Sequence, residues 1–473
     1  MKALLLSLLL ACASAAYAQQ PAVPPPPQQQ APKDQAKPIP ALPPPARYDY
    51  QGEATAILQQ LFRFHSPYQG PNSLASRNEA QATETATWYL GAVLVPNVEV
   101  YINPELALGN GLTRGTGLAG FTDGDLIGQG TLSNWPYLAR YFVRWRIPMR
   151  HLNAHAGGEQ SESEQVGRAP NLIAGKVRAH RLVIQAGKMA VTDVFDTNAY
   201  ANNPRTQFMN NAFVNNLAYD YAQDGRGYGP GVTAAWMNPD WSVRAGVFAM
   251  PTAAGGSDFA FDPSNQYSTQ LEYDRTDLRL LPNPKPPLTV RLLVYRNAAD
   301  MGDYRDAIAM GQQMGTTPDI TATERAGTAK YGLGINFEQP LADGGNTGIF
   351  GRWGWNDGAS EDYMYTECDR FLSLGAQVAG ARWRRKDDRV GIAGALSGLS
   401  DAHRDYLAAG GTGFVLGDGR LSCGNEETVE AYYLYQANKR LAATLDLQHI
   451  ANPGFNGDRG PITVLSARVH LAF

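Results

Sequence analysis

The stretch ITVLSARVHLAF, residues 462–473, places Leu465, Ala467, Val469, Leu471 and Phe473 on one face and Ser466, Arg468 and His470 on the other. A period of two belongs to a β-strand, in which successive side chains point to opposite faces. The same alternation recurs upstream. Ala139, Tyr141, Val143, Trp145 and Ile147 oppose Arg140, Phe142, Arg144 and Arg146. Tyr331, Leu333, Ile335 and Phe337 alternate with Gly332, Gly334, Asn336 and Glu338, and Val429, Ala431, Tyr433 and Tyr435 with Glu430, Tyr432, Leu434 and Gln436. Runs of about 8 to 11 such residues have the length a tilted strand needs to cross a bilayer. After the first twenty residues nothing approaches the ~18 consecutive apolar positions of a membrane helix, and the mean hydropathy is −0.32. A helical membrane protein is thereby excluded. A membrane β-barrel is not, because alternating strands average to a soluble-looking hydropathy.

Composition agrees with a β-rich chain. Charged residues are 18% of the 473, against about 25% in ordinary domains, with 49 Gly and 31 Tyr plus Trp. The 40 basic and 44 acidic residues give a net charge of −4, which argues against nucleic acid as a partner. Arg outnumbers Lys 31 to 9, a skew that suits planar, multi-donor recognition and packing on rings.

The N-terminus reads as an export signal over residues 1–18: Lys2, the apolar run Ala3 to Ala11, and Ala16-Tyr17-Ala18 as a small-x-small cleavage site. Cys12 is read as an ordinary signal-peptide cysteine rather than a lipidation site. Residues 19–46, dominated by Pro, Gln and Ala, predict an extended linker without a core. As a spacer it could cross part of the periplasm or touch peptidoglycan, and it could equally be a leader with no partner. In an exported chain, a last strand ending on an aromatic residue resembles the assembly signal of outer-membrane barrels. The resemblance implies a Gram-negative outer-membrane location, surrounding lipid, and the barrel-assembly machinery as a partner.

Loop length supplies direction, since such barrels have short periplasmic turns and long outer loops. Working back from a periplasmic Phe473, 451–461 is outer, Ala437-Asn438 inner, 398–427 outer and Arg385-Lys386-Asp387-Asp388 inner. Asn238-Pro239-Asp240 and Pro96-Asn97 are then inner turns. A first scan gives seventeen candidate strands, but only one inner connection fits between Tyr137–Ile147 and Arg181–Met189. The weak candidate at Leu172–Ala179 therefore lies inside that connection. Sixteen antiparallel strands over 47–473 remain, with both ends of the barrel in the periplasm. Cys368 and Cys423 fall in neighbouring outer loops, and an oxidising compartment predicts a disulfide between them.

Sixteen strands enclose an aqueous lumen. Arg140, Arg144 and Arg146 line up on its wall, with inward Glu99 and Glu105 on a neighbouring strand. Two roles are open to these arginines: forked hydrogen bonds to sugar hydroxyls or anions, or a charge ladder that fixes loops against the wall. The loop 190–230 carries Asp193, Asp196, Asn198, Asn202, Asn203, Asp220, Tyr221 and Tyr228 and is a candidate to fold into the pore. Amides, carboxylates and rings suit a polyhydroxylated solute, and they suit any hydrated loop as well.

Several long motifs, in one order, resemble the carbohydrate-selective porins of the OprB family. They are HSPYQGPNSL at 65–74, INPELALGNGLTRGTGLAGFTDGD at 102–125, GKMAVTDVFDTNAYANNPRTQFMN at 187–210, DYAQDGRGYGPG at 220–231, FGRWGWNDG at 350–358, Glu427 with Glu430 and Tyr432-Tyr433, and DLQHIANPGFNGDRGP at 446–461. The resemblance covers about residue 50 to the end. It departs from typical members in the Pro/Gln-rich leader and in 148–180. It implies a sixteen-strand outer-membrane barrel through which monosaccharides and related small polar solutes diffuse passively into the periplasm. Arg205, Arg352, Glu430, Asp446, Gln448 and Arg468 join the residues above as candidates for lining the pore. A general or anion-favouring porin and an envelope-anchoring barrel are the alternatives, and the state of assembly, monomer or homo-oligomer, is open. An enzyme is not expected: His449 and Ser466 face different ways, and nothing has the spacing of a metal or haem site, so no cofactor is expected.

Overall fold

The computed structural model describes residues 47–125, 135–149, 163–281 and 286–473. The expected signal peptide (1–18) and Pro/Gln-rich linker (19–46) lie outside the described residues.

Sixteen antiparallel strands close into one barrel: β1 (Tyr48–Leu61), β2 (Glu79–Val95), β3 (Val98–Leu108), β4 (Tyr137–Pro148), β5 (Arg181–Met189), β6 (Gly229–Met237), β7 (Trp241–Phe248), β8 (Tyr267–Leu278), β9 (Leu288–Met301), β10 (Arg325–Ala342), β11 (Thr347–Asn356), β12 (Arg370–Ala379), β13 (Arg389–Gly398), β14 (Glu426–Gln436), β15 (Leu441–Ala451) and β16 (Ile462–Ala472). Each pairs with its sequence neighbour, and β1 pairs with β16 to close the wall. At that seam Gly52 donates its N–H to the carbonyl of Phe473 at 2.8 Å. The Phe473 ring lies over Gly52 so closely that an added Cβ would stand 2.3 Å from it.

The strands are inside out relative to a water-soluble sheet. In β15, Leu445 and Leu447 are 66% and 49% exposed, while Thr444, Asp446 and Gln448 between them are buried. Exposed leucines alternating with buried polar groups make sense only where lipid surrounds the wall. The last strand follows suit: Leu465, Val469 and Leu471 face outward, and Ser466, Arg468 and His470 inward.

Short connections gather at one end: Pro96-Asn97, with Asn97 at φ 66°, the turn after Met237, where Asn238 donates to the Trp241 carbonyl, and the turn after Gln436. The connection from β4 to β5 is the long exception at that end. Within it Ser163–Val166 pairs with Gly175–Arg178, so the segment containing Leu172–Ala179 is no wall strand. The long loops collect at the other end, three of them with α-helices among the described residues, Asn211–Val214, Tyr304–Met314 and Asp401–Ala408.

Two expectations need correction. Ala139 does not face lipid but is fully buried, because the β3–β4 register shifts at Asn103/Pro104 and a bulge turns the start of β4 inward. Cys368 and Cys423 are both unpaired. Cys368 is buried at the outer end of β12 with its thiol donating to the Arg370 carbonyl at 3.2 Å, whereas Cys423 is exposed in the following loop beside Asn456. Burial, then the neighbouring Asp369 carboxylate, pushes the Cys368 thiol well above its ordinary range. In protein lacking residues 1–18, a maleimide reagent at neutral pH therefore labels Cys423 in the folded barrel and Cys368 only after denaturation. Two labels on the folded protein, or none, would contradict this placement.

Candidate functional site: a constriction in the lumen

The loop from Met189 to Gly229 folds into the barrel and builds a core there. Phe208 packs on Phe213, Phe350 and Tyr432 with ring centroids 4.9–5.4 Å apart. Tyr219 lies between Tyr221 and Tyr295, at 4.3 and 4.8 Å. Small wall residues admit it: Asn216 sits against Gly354, where a Cβ would come within 2.1 Å of its amide oxygen. The loop thus leans on the wall formed by β8 to β14.

Most sequence-predicted site residues hold this loop in place. Asp196 bonds Arg352 (Nε, 2.8 Å) and Asn336 (2.7 Å), while Arg352 also donates to the Phe213 carbonyl at 2.7 Å. Asn198 donates to Asn336 at 2.8 Å. Glu430 accepts the backbone N–H groups of Met209 and Asn210. Gln448 accepts from the Asn210 amide at 2.9 Å and donates to Asp446 at 3.0 Å and to the Thr122 carbonyl at 2.8 Å. Arg468 donates to the carbonyls of Pro204 and Gln207. Arg146 is covered, locked on Glu99.

A cavity of about 460 Å³ remains on the opposite side, along β1 to β5, within the range of small-molecule sites. Of the predicted residues, Glu105, Arg140, Arg144, Asp193 and Arg205 line it, with Asn202, Asn203 and Tyr228 from the loop. Arg140 grips Asp193 through Nε and Nη2 at 2.6 and 2.9 Å and lies over the Tyr228 ring. Arg144 lies 5.0 Å over the Tyr101 ring and donates through Nε to Gln185 and through Nη1 to the Asn171 carbonyl, each at 2.7 Å. Asn171 belongs to the β4–β5 connection, which reaches in from the short-turn end so that Pro170, Asn171 and Leu172 floor the cavity. Asn103 and Gln51 hold it there, donating to the Asn171 side chain and the Ala169 carbonyl.

Arg205 closes the side facing β1 to β3. Its Nε meets Asp125 at 2.6 Å, Nη1 meets Glu53 at 2.5 Å, and Nη2 meets Glu105 at 3.1 Å. Burial alone would lower its pKa, but the three carboxylates outweigh that and hold it well above the ordinary value. Tyr228, pushed up by burial and then by Glu105, stays a protonated phenol and donates to Glu105 at 3.0 Å.

Sequence reasoning missed Glu53, Tyr89, Asp125, Tyr137, Gln185 and Arg226 in the lining. Period-two reading of β1 and β2 offers Glu53 and Tyr89 as inward residues; Asp125 and Arg226 come from loops, where alternation carries no signal. The completed lining holds four arginines (140, 144, 205, 226) and four carboxylates (Glu53, Glu105, Asp125, Asp193). Equal numbers of opposite charges, with tyrosines and amides between them, favour a neutral polar solute over an ion of either sign.

Comparison with known proteins follows the same line. The family model described as carbohydrate-selective porin, OprB family, matches residues 72–473. Among solved structures, the chain resembles the high-pH structure of Pseudomonas putida OprB, with a TM-score of 0.66 and 14% identity over 90% of this chain and 94% of that one. It also resembles the outer membrane channel DcaP of Acinetobacter baumannii, with a TM-score of 0.50 and 9% identity over 90% and 97% of the two chains. At these identities the structural likenesses bear on the fold alone. No curated protein matches the chain.

Arg352→Ala tests the anchoring role. It leaves Asp196 as a buried carboxylate without its cation, so a loss of about 3–5 kcal/mol is expected on unfolding in detergent. Single-channel current should become noisier as the loop loosens, and an unchanged stability would remove Arg352 from the anchor.

Proposed function

The chain belongs to the OprB family of carbohydrate-selective porins, and we propose that monosaccharides and related small polar solutes pass it through the cavity between β1–β5 and the inward loop. As a member of that family it is an outer-membrane channel for passive, carbohydrate-selective diffusion. The observation that carries the finer reading is the pairing pattern of the lining arginines. Arg140 uses Nε and Nη2 on Asp193, and Arg144 uses Nε and Nη1 on Gln185 and Asn171. Among the described residues, neither Nη1 of Arg140 nor Nη2 of Arg144 has a hydrogen-bond acceptor.

Two guanidiniums held rigid by other contacts, each with one free nitrogen, are pre-organised donors. A sugar hydroxyl accepts from such a donor without first breaking a salt bridge, while Tyr89, Tyr137 and Phe142 add aromatic surface to the same lining. No covalent step is involved. The hydroxyls exchange water for protein donors on entry and reverse the exchange on exit, so binding must stay weak for flux to continue. Small polar solutes are the partners of this reading; homo-oligomerisation and contact of the linker with peptidoglycan are compatible with it and are not required by it.

Planar-bilayer conductance with added monosaccharide tests the proposal. Wild-type current should fall on sugar addition, and Arg144→Ala should weaken that block by on the order of tenfold, as expected for losing a charged hydrogen bond. Arg144→Lys, which keeps the charge but not the planar fork, should restore only part of it. Current insensitive to every monosaccharide, or block unaltered in a stably folded Arg144→Ala, would refute the assignment.

A further inference from the structure

Away from the cavity, three outer loops converge on a buried polar cluster that plays no part in lining it. Asp362 and Asp369 come from the loop between β11 and β12, and His403 from the helix Asp401–Ala408 between β13 and β14. Tyr304, on the helix after β9, stacks its ring on His403 with centroids 4.3 Å apart and planes 13° apart. Asp362, Asp369 and His403 are at most 1% exposed. His403 Nδ1 stands 3.2 Å from Asp369 Oδ2 and 3.9 Å from Asp362 Oδ2, and one donor atom from each residue lies within 4.8 Å of the other two.

We propose that Asp362, Asp369 and His403 form a structural binding site for one divalent cation of the zinc class. The spacing suits it. With metal–ligand bonds of about 2.0–2.2 Å, two ligands of one ion stand roughly 3–4 Å apart, the range in which both imidazole-to-carboxylate distances fall. The third edge, between the two carboxylates, is no longer than 4.8 Å.

Two independent observations point to a missing positive charge. Asp362 Oδ2, one of the atoms facing Nδ1, has no hydrogen-bond partner among the described residues, and neither has Asp369 Oδ1. Orphaned carboxylate oxygens at this depth are costly. The charge count is also open. Asp220, buried beside the pair, makes a third carboxylate, and Lys330 is the one lysine among them, bonded to Asp362 and 3.7 Å from Asp220. With all three carboxylates ionised and a neutral imidazole these four charges sum to −2, which one divalent ion cancels; a protonated imidazole would still leave −1.

The surrounding bonds orient the two carboxylate ligands as outer partners of a metal site do, while His403 Nε2 has no hydrogen-bond partner among the described residues. Ser400 N–H donates to Asp369 Oδ2 at 2.7 Å, and Lys330 fixes Asp362 through its other oxygen. One imidazole with two carboxylates suits zinc and its first-row neighbours; calcium and magnesium want six or more oxygens. The ion would tie two loops directly and a third through Tyr304. Asp220, which accepts the N–H groups of Tyr363 and Met364 at 2.9 and 3.0 Å, extends that tie to the inward loop.

Because the site is closed, it fills during folding. Full-length mature protein would be unfolded and refolded in detergent with zinc chloride, with cobalt chloride, or with EDTA, then desalted and assayed for metal by elemental mass spectrometry. The site predicts one zinc or cobalt per chain, a raised melting temperature over the EDTA sample, and visible cobalt absorption of a nitrogen–oxygen site. His403→Gln and Asp369→Asn should lose the retained metal, while His65→Gln, on an exposed loop, keeps it. Folded wild type that retains no zinc or cobalt would overturn the proposal, and so would variants that retain as much as wild type. The wild-type stoichiometry decides the matter even if a variant fails to fold.

Discussion

Backbone amides of a loop folded inside a barrel must find partners there, and in this protein the wall's side chains provide them. Glu430 accepts two successive N–H groups of the loop, Met209 and Asn210. Glu272 accepts that of Asp196 at 2.7 Å, Arg352 donates to Phe213, Arg468 to Pro204 and Gln207, and Asn356 to Ala218. The same device serves two further loops, where Glu426 accepts from Ala119 and Gly120 between β3 and β4 and from Gly454 between β15 and β16. A carboxylate taking adjacent N–H groups does what a neighbouring strand does elsewhere, and without it the loop would carry buried orphan donors.

This requirement explains why a polar lumen face is mostly not a solute-facing one. From β8 round to β16 the inward residues hold the loop, and the aromatic core around Phe208 and Tyr219 fills the gaps. The loop is therefore displaced to one side, and the opening lies along β1 to β5, where inward residues meet few loop amides. There Arg205 works in the opposite sense: a loop cation held by two wall carboxylates and by Asp125. Anchors of both signs on opposite walls restrain the loop against sliding as well as lifting away, so the width of the passage is set by the packed core rather than by a free loop.

The sequence made the wall legible and the lumen's contents much less so. Strand number, the merging of 172–179 into a connection, and the inward facing of Arg140, Arg144, Arg146, Glu99 and Arg468 follow from a period of two and the polarity of turns, both local properties. Ala139 escaped because a one-residue bulge reverses facing with no mark in the alternation. Which inward residue meets solute and which meets the loop depends on how a 39-residue segment, 190–228, docks across the barrel. The partners of Arg205 lie 80 to 152 positions away, and no spacing rule reaches that far. The cysteines illustrate the same limit: neighbouring loops do not imply neighbouring thiols, since Cys368 points back into the wall and Cys423 outward.

The arginine surplus takes on a meaning that a count alone could not give it. An arginine-lined pore would select anions if its guanidiniums were unpaired, because a unit charge at 4 Å is worth about 4 kcal/mol at an effective dielectric of 20. Here Arg140 is neutralised by Asp193, and Arg205 faces three carboxylates, a local excess of two negative charges. An anion drawn to Arg144 therefore meets repulsion from Glu53, Glu105 and Asp125 across the same cavity, and a cation drawn to those meets Arg140, Arg144 and Arg226. A neutral hydroxylated solute is repelled by neither set and can donate to one while accepting from the other. Pairing the arginines thus turns a charged lining into a bed of fixed donors and acceptors, which is the electrostatic condition for favouring sugars over ions.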